Sequence, residues 1–537
     1  MTSGRSALEQ SKPQEALEAF NQLLILPPNR YSQDAQELVG VAREALGELT
    51  KAKAEYQLYL RLFPEGEGAK RVRERLARLE STPAEAAAAA QAPARPAVRT
   101  VFGSVSQFYY GGRSKIQTAF NTPVTPDRET ISTTDLQSLV SSVDLNGRFR
   151  SAESDTRLVF RDTYTHNYRE DDRNFNRLNA AYYDFRGIQS SISARLGRQT
   201  GLNGGIPARF DGAYGGFNVS SKWRLNAAAG SPVEYPDIDS KRRFYGLSLD
   251  FENLAERWYG NLFAVHQSVD GILDRRAVGT ELRYLQGKNS VYTLFDYDTS
   301  YKEPNIVMLQ GTFVTAGGTT LNALFDRRRA PTLSTTNAVL GQPTSSIRTL
   351  LETVSEEALR QQALDITAKA TQALLGFTTP VHPKWQLGFD WRLTNVGALP
   401  ATEVNGISIP AQPATGDIKS YVAQAIGSQL YSRGDINVFS VTYLTSPNFR
   451  GHLFSYNNVS KLFERWTIEP SLRYYEQTDT FDVRLRRLTP GLRLTYRLGG
   501  SVYLESEYSQ ERSQTRSDVQ EEETVRHFGY VGYRVDF

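Results

Sequence analysis

Arg487-Leu488-Thr489-Pro490-Gly491-Leu492-Arg493-Leu494-Thr495-Tyr496-Arg497-Leu498 is the stretch that decides the fold. Leu488, Leu492, Leu494, Tyr496 and Leu498 fall on one parity; Arg487, Thr489, Gly491, Arg493, Thr495 and Arg497 fall on the other. Successive strand side chains face opposite ways, so this segment builds a strand with one apolar face and one cationic face. The same pattern recurs upstream. Trp385, Leu387, Phe389, Trp391 and Leu393 alternate with Gln386, Gly388, Asp390 and Arg392, and Trp466, Ile468, Leu472 and Tyr474 alternate with Thr467, Glu469, Ser471 and Arg473.

A soluble sandwich turns its charged face to water and its apolar face inward. The inverted arrangement, with lipid outside and a wet interior, is a transmembrane barrel. Three features favour the inverted arrangement. Short connections (152–155, 286–288, 316–318, 380–383, 432–435, 498–500) alternate with long ones expected at 113–134, 200–210, 232–241, 329–371, 396–417 and 510–524. The chain ends in Val531, Tyr533, Val535 and Phe537 on one parity, which resembles the assembly signal of outer-membrane barrels and implies the barrel assembly machinery as a partner. Strand-like segments run about 10–13 residues, enough to cross a bilayer at a tilt. The expected fold is mainly β: a large antiparallel transmembrane barrel over 100–537 with about 22 strands, in a range of about 18–22.

Composition agrees. The 537 residues include 28 Tyr, 26 Phe, 5 Trp and 40 Gly but no Cys, which excludes disulfides, a thiol nucleophile and a Cys-ligated metal. Net charge is +3, too balanced to point to nucleic acid. Mean hydropathy is −0.46, and no apolar run approaches the ~18 residues of a spanning helix.

Residues 1–80 differ. Only Phe20, Tyr31, Tyr56, Tyr59 and Phe63 represent the aromatics before Thr100, and Ala, Leu, Glu and Arg dominate. Ala16, Phe20, Leu24 and Pro28 recur 36 positions on as Ala52, Tyr56, Leu60 and Pro64. Small residues let paired helices approach, aromatics fill the seam and Pro ends the second helix. This resembles a tetratricopeptide repeat, whose period is about 34 residues. The resemblance implies a small α-helical domain docking periplasmic protein partners, with Phe20, Leu24, Tyr56 and Leu60 as docking candidates. Residues 81–99 read as a Pro/Ala linker. Met1–Ser11 has no apolar core and is not a secretory signal. Together with an incomplete first repeat, this leads to the expectation that the chain starts inside a longer protein.

If the apolar face meets lipid, the other face lines a lumen. Arg195, Arg224, Arg283, Arg392, Arg473, Arg487, Arg493 and Arg497 are expected there with Asp296, Asp298, Asp390, Glu469, Glu505 and Glu507. Arg328, Arg526, Asp250, Glu281 and Asp326 share that expectation. Mixed signs at this density predict cross-strand ion pairs that brace a hydrated wall. The sharper alternative is an electrostatic track for a charged solute, with Arg484, Arg486, Arg487, Arg493 and Arg497 as an anion-attracting stripe. Charge runs at Arg327–Arg329 and Glu521–Glu523 read as loop solvation.

The longest loop carries a helical stripe near 345–371, with Thr353 and Glu356 at capping-box spacing. It is expected to act as a constriction, a lid or simple loop packing. His166, His266, His382, His452 and His527 lie far apart without metal-ligand spacing, and no nucleophile elbow, phosphate loop or zinc helix occurs. No catalytic residue, metal or cofactor is expected.

Helical repeats followed by a barrel resemble the exporters of cellulose and poly-N-acetylglucosamine. Gly197-Arg198-Gln199 followed by Arg209-Phe210-Asp211-Gly212-Ala213 is similar to a strand–loop–strand signature of alginate-export barrels. These resemblances imply a bacterial outer-membrane pore with lipid around it, partners on the periplasmic helices and a polysaccharide as cargo. The interleaved acids weigh against an anionic polymer. Surface-lipoprotein translocation and a structural envelope anchor without flux are the competing readings.

Overall fold

The structure is a computed structural model and describes residues 1–25, 31–80, 97–120, 128–201, 205–233, 241–404 and 406–537. Pro28 and most of the linker, 81–96, lie outside the described residues. The chain divides into two compact units, Met1–Arg95 and Pro96–Phe537.

The first unit holds five helices: α1 (Thr2–Glu9), α2 (Pro13–Ile25), α3 (Ser32–Ala45), α4 (Leu49–Leu62) and α5 (Glu67–Glu80). Each packs on the next in sequence. The 36-residue repeat has a structural cause. A Cβ at Gly4 would come within 2.5 Å of the Phe20 ring, and one at Gly40 within 2.3 Å of the Tyr56 ring. The two glycines keep the repeat spacing of their aromatics, so each first helix offers a bare patch that the second helix fills with a ring. Phe20, Tyr56, Ala16 and Ala52 are fully buried. The Tyr56 hydroxyl donates to Glu44 at 2.7 Å, and burial together with that carboxylate pushes its pKa above the ordinary phenol range. Arg71 of α5 grips Glu37 of α3 with both Nε (2.9 Å) and Nη2 (2.7 Å).

The second unit contains β1 (Val98–Phe120), β2 (Arg128–Arg150), β3 (Ser154–Asn167), β4 (Phe175–Gly187), β5 (Ile192–Thr200), β6 (Arg209–Asn218), β7 (Trp223–Pro232) and β8 (Arg242–Leu254). Next come β9 (Trp258–Val269), β10 (Ile272–Gln286), β11 (Asn289–Asp298), β12 (Glu303–Val314), β13 (Thr320–Ala330), β14 (Ala368–His382) and β15 (Trp385–Val396). A small hairpin, β16 (Thr402–Val404) and β17 (Ile407–Ile409), interrupts the series. The wall resumes with β18 (Ile418–Ser428), β19 (Ile436–Thr445), β20 (Phe449–Leu462), β21 (Trp466–Asp479), β22 (Arg484–Arg497), β23 (Val502–Arg516) and β24 (Gln520–Asp536).

All but β16 and β17 form one 22-stranded antiparallel sheet, and β1 pairs with β24, so the sheet is a closed barrel. Closure leaves no wall edge unpaired. The last residue takes part: Gly103 N–H donates to the Phe537 carbonyl (2.8 Å) and Phe537 N–H to the Gly103 carbonyl (3.0 Å). A Cβ at Gly103 would sit 2.1 Å from the Asp144 carbonyl, so glycine is what lets three strands approach there.

The expected strand number and closure hold. Several boundaries change. The barrel starts at Val98, inside the expected linker. Residues 113–120 and 128–134 are strand, because β1 and β2 pair along 23-residue lengths. Likewise β23 and β24 continue through 510–524 except for the turn 517–519. One end of the barrel has only short connections. The other end mixes the long 331–367 and 397–417 with tight turns such as Asp270-Gly271, where φ is +47° and +91°. Two successive left-handed residues make the hairpin turn whose twist matches the strands.

A wall one sheet thick can bury a side chain only on its concave side. Phe244, Val265 and Asn261 are nearly fully buried, whereas their strand neighbours Tyr245 (60%) and Leu247 (58%) and the cross-strand Leu262 (53%) are exposed. The apolar parity therefore faces outward and the polar parity inward. A closed 22-strand barrel with an apolar exterior fits the bacterial outer membrane and implies contact with its lipid.

Candidate functional site: the inner wall and its rim

The inward parity carries most of the charges read from the sequence, and most are paired. Arg195 of β5 meets Asp184 of β4 at 3.1 Å and lies 4.6 Å over the Tyr182 ring. Arg283 is 3.6 Å from Glu281 and stacks over Tyr292. Arg392 donates to Asp390 at 2.9 Å. Arg493 of β22 reaches Glu505 of β23 at 3.1 Å and Glu469 of β21 at 4.0 Å. Arg487 and Arg526 share Glu511, each at 3.5 Å, and Arg328 pairs with Asp326. Arg224 donates to Asn226 at 2.8 Å and also contacts Ser193.

Other candidates stand elsewhere. Arg497 donates to the carbonyls of Gly499 (3.2 Å) and Gly500 (3.0 Å), so it fastens a turn. Arg473 and Glu507 have no ion-pair partner among the described residues. Arg484 and Arg486 share the parity of the exposed Leu488 and Leu492, and Arg486 pairs with Glu476 on that same outward face. The five-arginine stripe is thus split between two faces. Of the run Arg327–Arg329, Arg329 is buried against Glu303 rather than solvating a loop, and Glu521–Glu523 belong to β24.

Asp296 and Asp298 are 2% and 0% exposed, so they line no open lumen. Both engage Arg275, which is equally enclosed. The 331–367 connection packs on the same end of the wall, against Leu273, Asp274, Ser300 and Tyr301. It contains a 3-10 turn (Thr335–Val339), α6 (Ile347–Leu351) and α7 (Glu356–Asp365). Ser346 and Ser355 cap the two helices by accepting from Thr349 and Ala358 N–H, so Ser355 replaces the Thr353–Glu356 box. Ile347, Leu350, Leu359 and Ala363 bury their stripe against Val269 at the end of β9. Thr336 binds the Asp274 carboxylate through N–H (2.8 Å) and hydroxyl (2.7 Å). Leu333 N–H donates to Asn305 at 2.9 Å, and Arg360 donates to the Ser300 carbonyl at 2.8 Å. Tyr301, hydrogen-bonded to Thr335 at 3.0 Å, has its phenol pushed up to about 12 by burial. The helical loop is therefore tied down on the rim of β9–β13.

The GRQ…RFDGA motif is one built unit. Gly197 has φ +116° and lies so near β4 that a Cβ would sit 2.2 Å from the Ala181 carbonyl. Arg198 grips Asp211 with Nε (2.7 Å) and Nη2 (2.6 Å) across β5–β6. Gln199 is fully buried and donates to the Gly212 carbonyl at 3.1 Å.

Two inner-wall features were missed by looking only for charges. Phe210, Tyr214, Ala228, Phe244, Val265 and Ala277 form a buried apolar cluster on β6–β10. Phe108 and Tyr110 of β1 face Phe528 and Tyr530 of β24, with centroid separations of 5.3–6.4 Å. The signal was present: Phe528 and Tyr530 occupy the parity opposite to Val531 and Tyr533. Val531, Tyr533 and Phe537 of the terminal strand are exposed on the outer face. In the helical unit, Phe20 and Tyr56 are core residues, and Leu24 and Leu60 are partly buried against the same clusters. Among the described residues no cluster of His, Asp and Glu is placed to hold a metal ion.

No protein-family profile matches the chain, and no curated protein matches it. Among solved structures it is similar to a mutant of the ferric enterobactin receptor PfeA from Pseudomonas aeruginosa, with TM-score 0.44 and 12% identity over 81% of this chain and 80% of that one. It is also similar to the P. aeruginosa outer membrane protein OpdK (TM-score 0.35, 10% identity, 82% of this chain and 99% of that one). P. aeruginosa OccD3 (OpdP) overlaps with TM-score 0.34 and 10% identity over 83% of this chain and 94% of that one. Overlaps of this quality assign no substrate or role to the chain.

Proposed function

We propose that the chain is an outer-membrane conduit for a neutral, hydrated polysaccharide, with the helical unit as a tetratricopeptide-like dock for periplasmic proteins. The observation that carries this reading is the inner wall. Most of its arginines meet carboxylates on the same or neighbouring strands, as in Arg195–Asp184, Arg392–Asp390 and Arg493–Glu505. Such a wall stays wet and rich in donors and acceptors while presenting little net field. It suits an uncharged polymer better than a polyanion. Docking on the helices falls to exposed residues such as Tyr31 and Leu62, because the repeat aromatics are spent on the core. The alternating terminal strand, Val531 to Phe537, serves as the recognition signal for barrel assembly.

The test is reconstitution of the full chain in planar bilayers. The expected result is an open channel, weakly ion-selective, whose current is interrupted by neutral oligosaccharides and not by alginate of equal length. Strong anion selectivity with block by alginate alone would replace the cargo with a polyanion. Absence of any current would favour the envelope-anchor reading.

A further inference from the structure

We infer that Phe108, Tyr110, Phe528 and Tyr530 form a saccharide-binding platform on the inner wall at the β24–β1 seam, with Glu507 as its hydrogen-bonding flank. This rests on the conduit reading and adds to it a place where the polymer is held.

The platform breaks the pattern of the wall. Elsewhere in this sector the inward positions carry Arg493, Glu505, Glu507, Arg526 and Arg534; here four rings gather on two adjacent strands. They are not sealed into a core. Phe528 is 36% exposed, and the other three are only partly buried. That separates them from Phe210 and Phe244, which are 1% and 2% exposed. Phe108 has a local structural task, since a Cβ at the facing Gly532 would meet its ring at 2.5 Å. Phe528 faces Gly112 in register but is not among the atoms closest to it, so that task does not account for Phe528.

The register supplies the polar flank. Arg493, Glu507, Tyr530 and Tyr110 lie on one rung across β22, β23, β24 and β1. Arg493 leans away to Glu505 and Glu469, which leaves Glu507 without an ion-pair partner among the described residues. Ser509 stands opposite Phe528 on the next rung. A sugar ring has an apolar C–H face and an equatorial belt of hydroxyls. Aromatic faces accept the first, and a carboxylate with a neighbouring serine accepts hydrogen bonds from the second. An organic cation is the competing occupant, drawn by ring faces and Glu507 together. The adjacent Arg493 and Arg534 oppose it.

The experiment uses the full chain. Titration calorimetry in detergent reads binding of malto- and cello-oligosaccharides and of tetramethylammonium; bilayer recording reads flux and block. Saccharide is expected to bind the wild type. Tyr110→Ala with Tyr530→Ala should weaken it by roughly 10–100-fold, at roughly 3–10-fold per ring. Glu507→Gln should weaken it only a few-fold, since an amide still accepts a hydrogen bond. Tyr245→Ala on the outer face should leave binding unchanged. Where the double variant fails to assemble, Phe528→Leu takes its place. Unchanged affinity in a folded platform variant would overturn the assignment, and so would binding of tetramethylammonium that Glu507→Gln abolishes. Current with no saccharide binding refutes the platform and spares the conduit; platform-dependent binding with no current refutes the conduit and spares the platform.

Discussion

Tyr56 and Tyr245 are the same side chain in opposite settings. Tyr56 of the helical unit is fully buried, its ring pressed onto Gly40 and its hydroxyl held by Glu44. Tyr245 of the barrel is 60% exposed, its ring stacked 4.7 Å from His266 on the outward face. A unit built for water hides its aromatics, because removing them from solvent is its main source of stability. A barrel in lipid turns them out and folds its charges inward. The contrast makes each region's stability depend on a different change.

Four substitutions can break or sharpen this contrast. Tyr56→Ala should cost the helical unit about 3–5 kcal/mol through the cavity it leaves. The helical circular dichroism of the full chain should then melt earlier while the heat-resistant β signal stays put. Arg275→Ala should destabilise the barrel by about 3–5 kcal/mol, because Asp296 and Asp298 become buried and uncompensated. Urea unfolding in liposomes reads that loss, and a change below about 1 kcal/mol would show that water reaches the cluster. Leu247→Arg, near the middle of β8 on the lipid face, should cost about 2–4 kcal/mol in bilayers. In a soluble protein the same change at a 58%-exposed leucine would be nearly neutral, so a neutral result would remove the lipid assignment of that face. Arg392→Gln, whose ion pair with Asp390 faces the wet interior with the arginine half exposed, should shift stability by less than about 1 kcal/mol. It should instead tilt channel selectivity towards cations, measured as reversal potential in a salt gradient.

The architecture was largely legible in residue order. Parity alone identified the outward ladders of β15, β21 and β22, and the strand number followed from counting them. Parity also held what was overlooked. Arg484 and Arg486 differ in parity from Arg487, and Phe528 and Tyr530 differ from Val531 and Tyr533. The expected loops at 113–134 and 510–524 failed for another reason. Runs such as Thr130-Ile131-Ser132-Thr133-Thr134 and Glu521-Glu522-Glu523 are too polar to look like membrane strands, yet a long partner strand completes their hydrogen bonds. The docking of the 331–367 connection onto Tyr301 and Asp274 could not be read locally, because its partners stand more than 30 residues away in the chain.

Which face a side chain takes is a local property, since each peptide turns the next Cβ to the other side of the sheet. The chain's own order of residues therefore settled the barrel, its apolar exterior and the 36-residue repeat that sets Phe20 and Tyr56 into Gly4 and Gly40. Which charges meet is a property of register between strands that need not be neighbours in sequence. The β1–β24 seam and the four rings gathered across it exist only once the barrel has closed. Closure joins residues from opposite ends of the chain, and no periodicity within either end encodes the encounter.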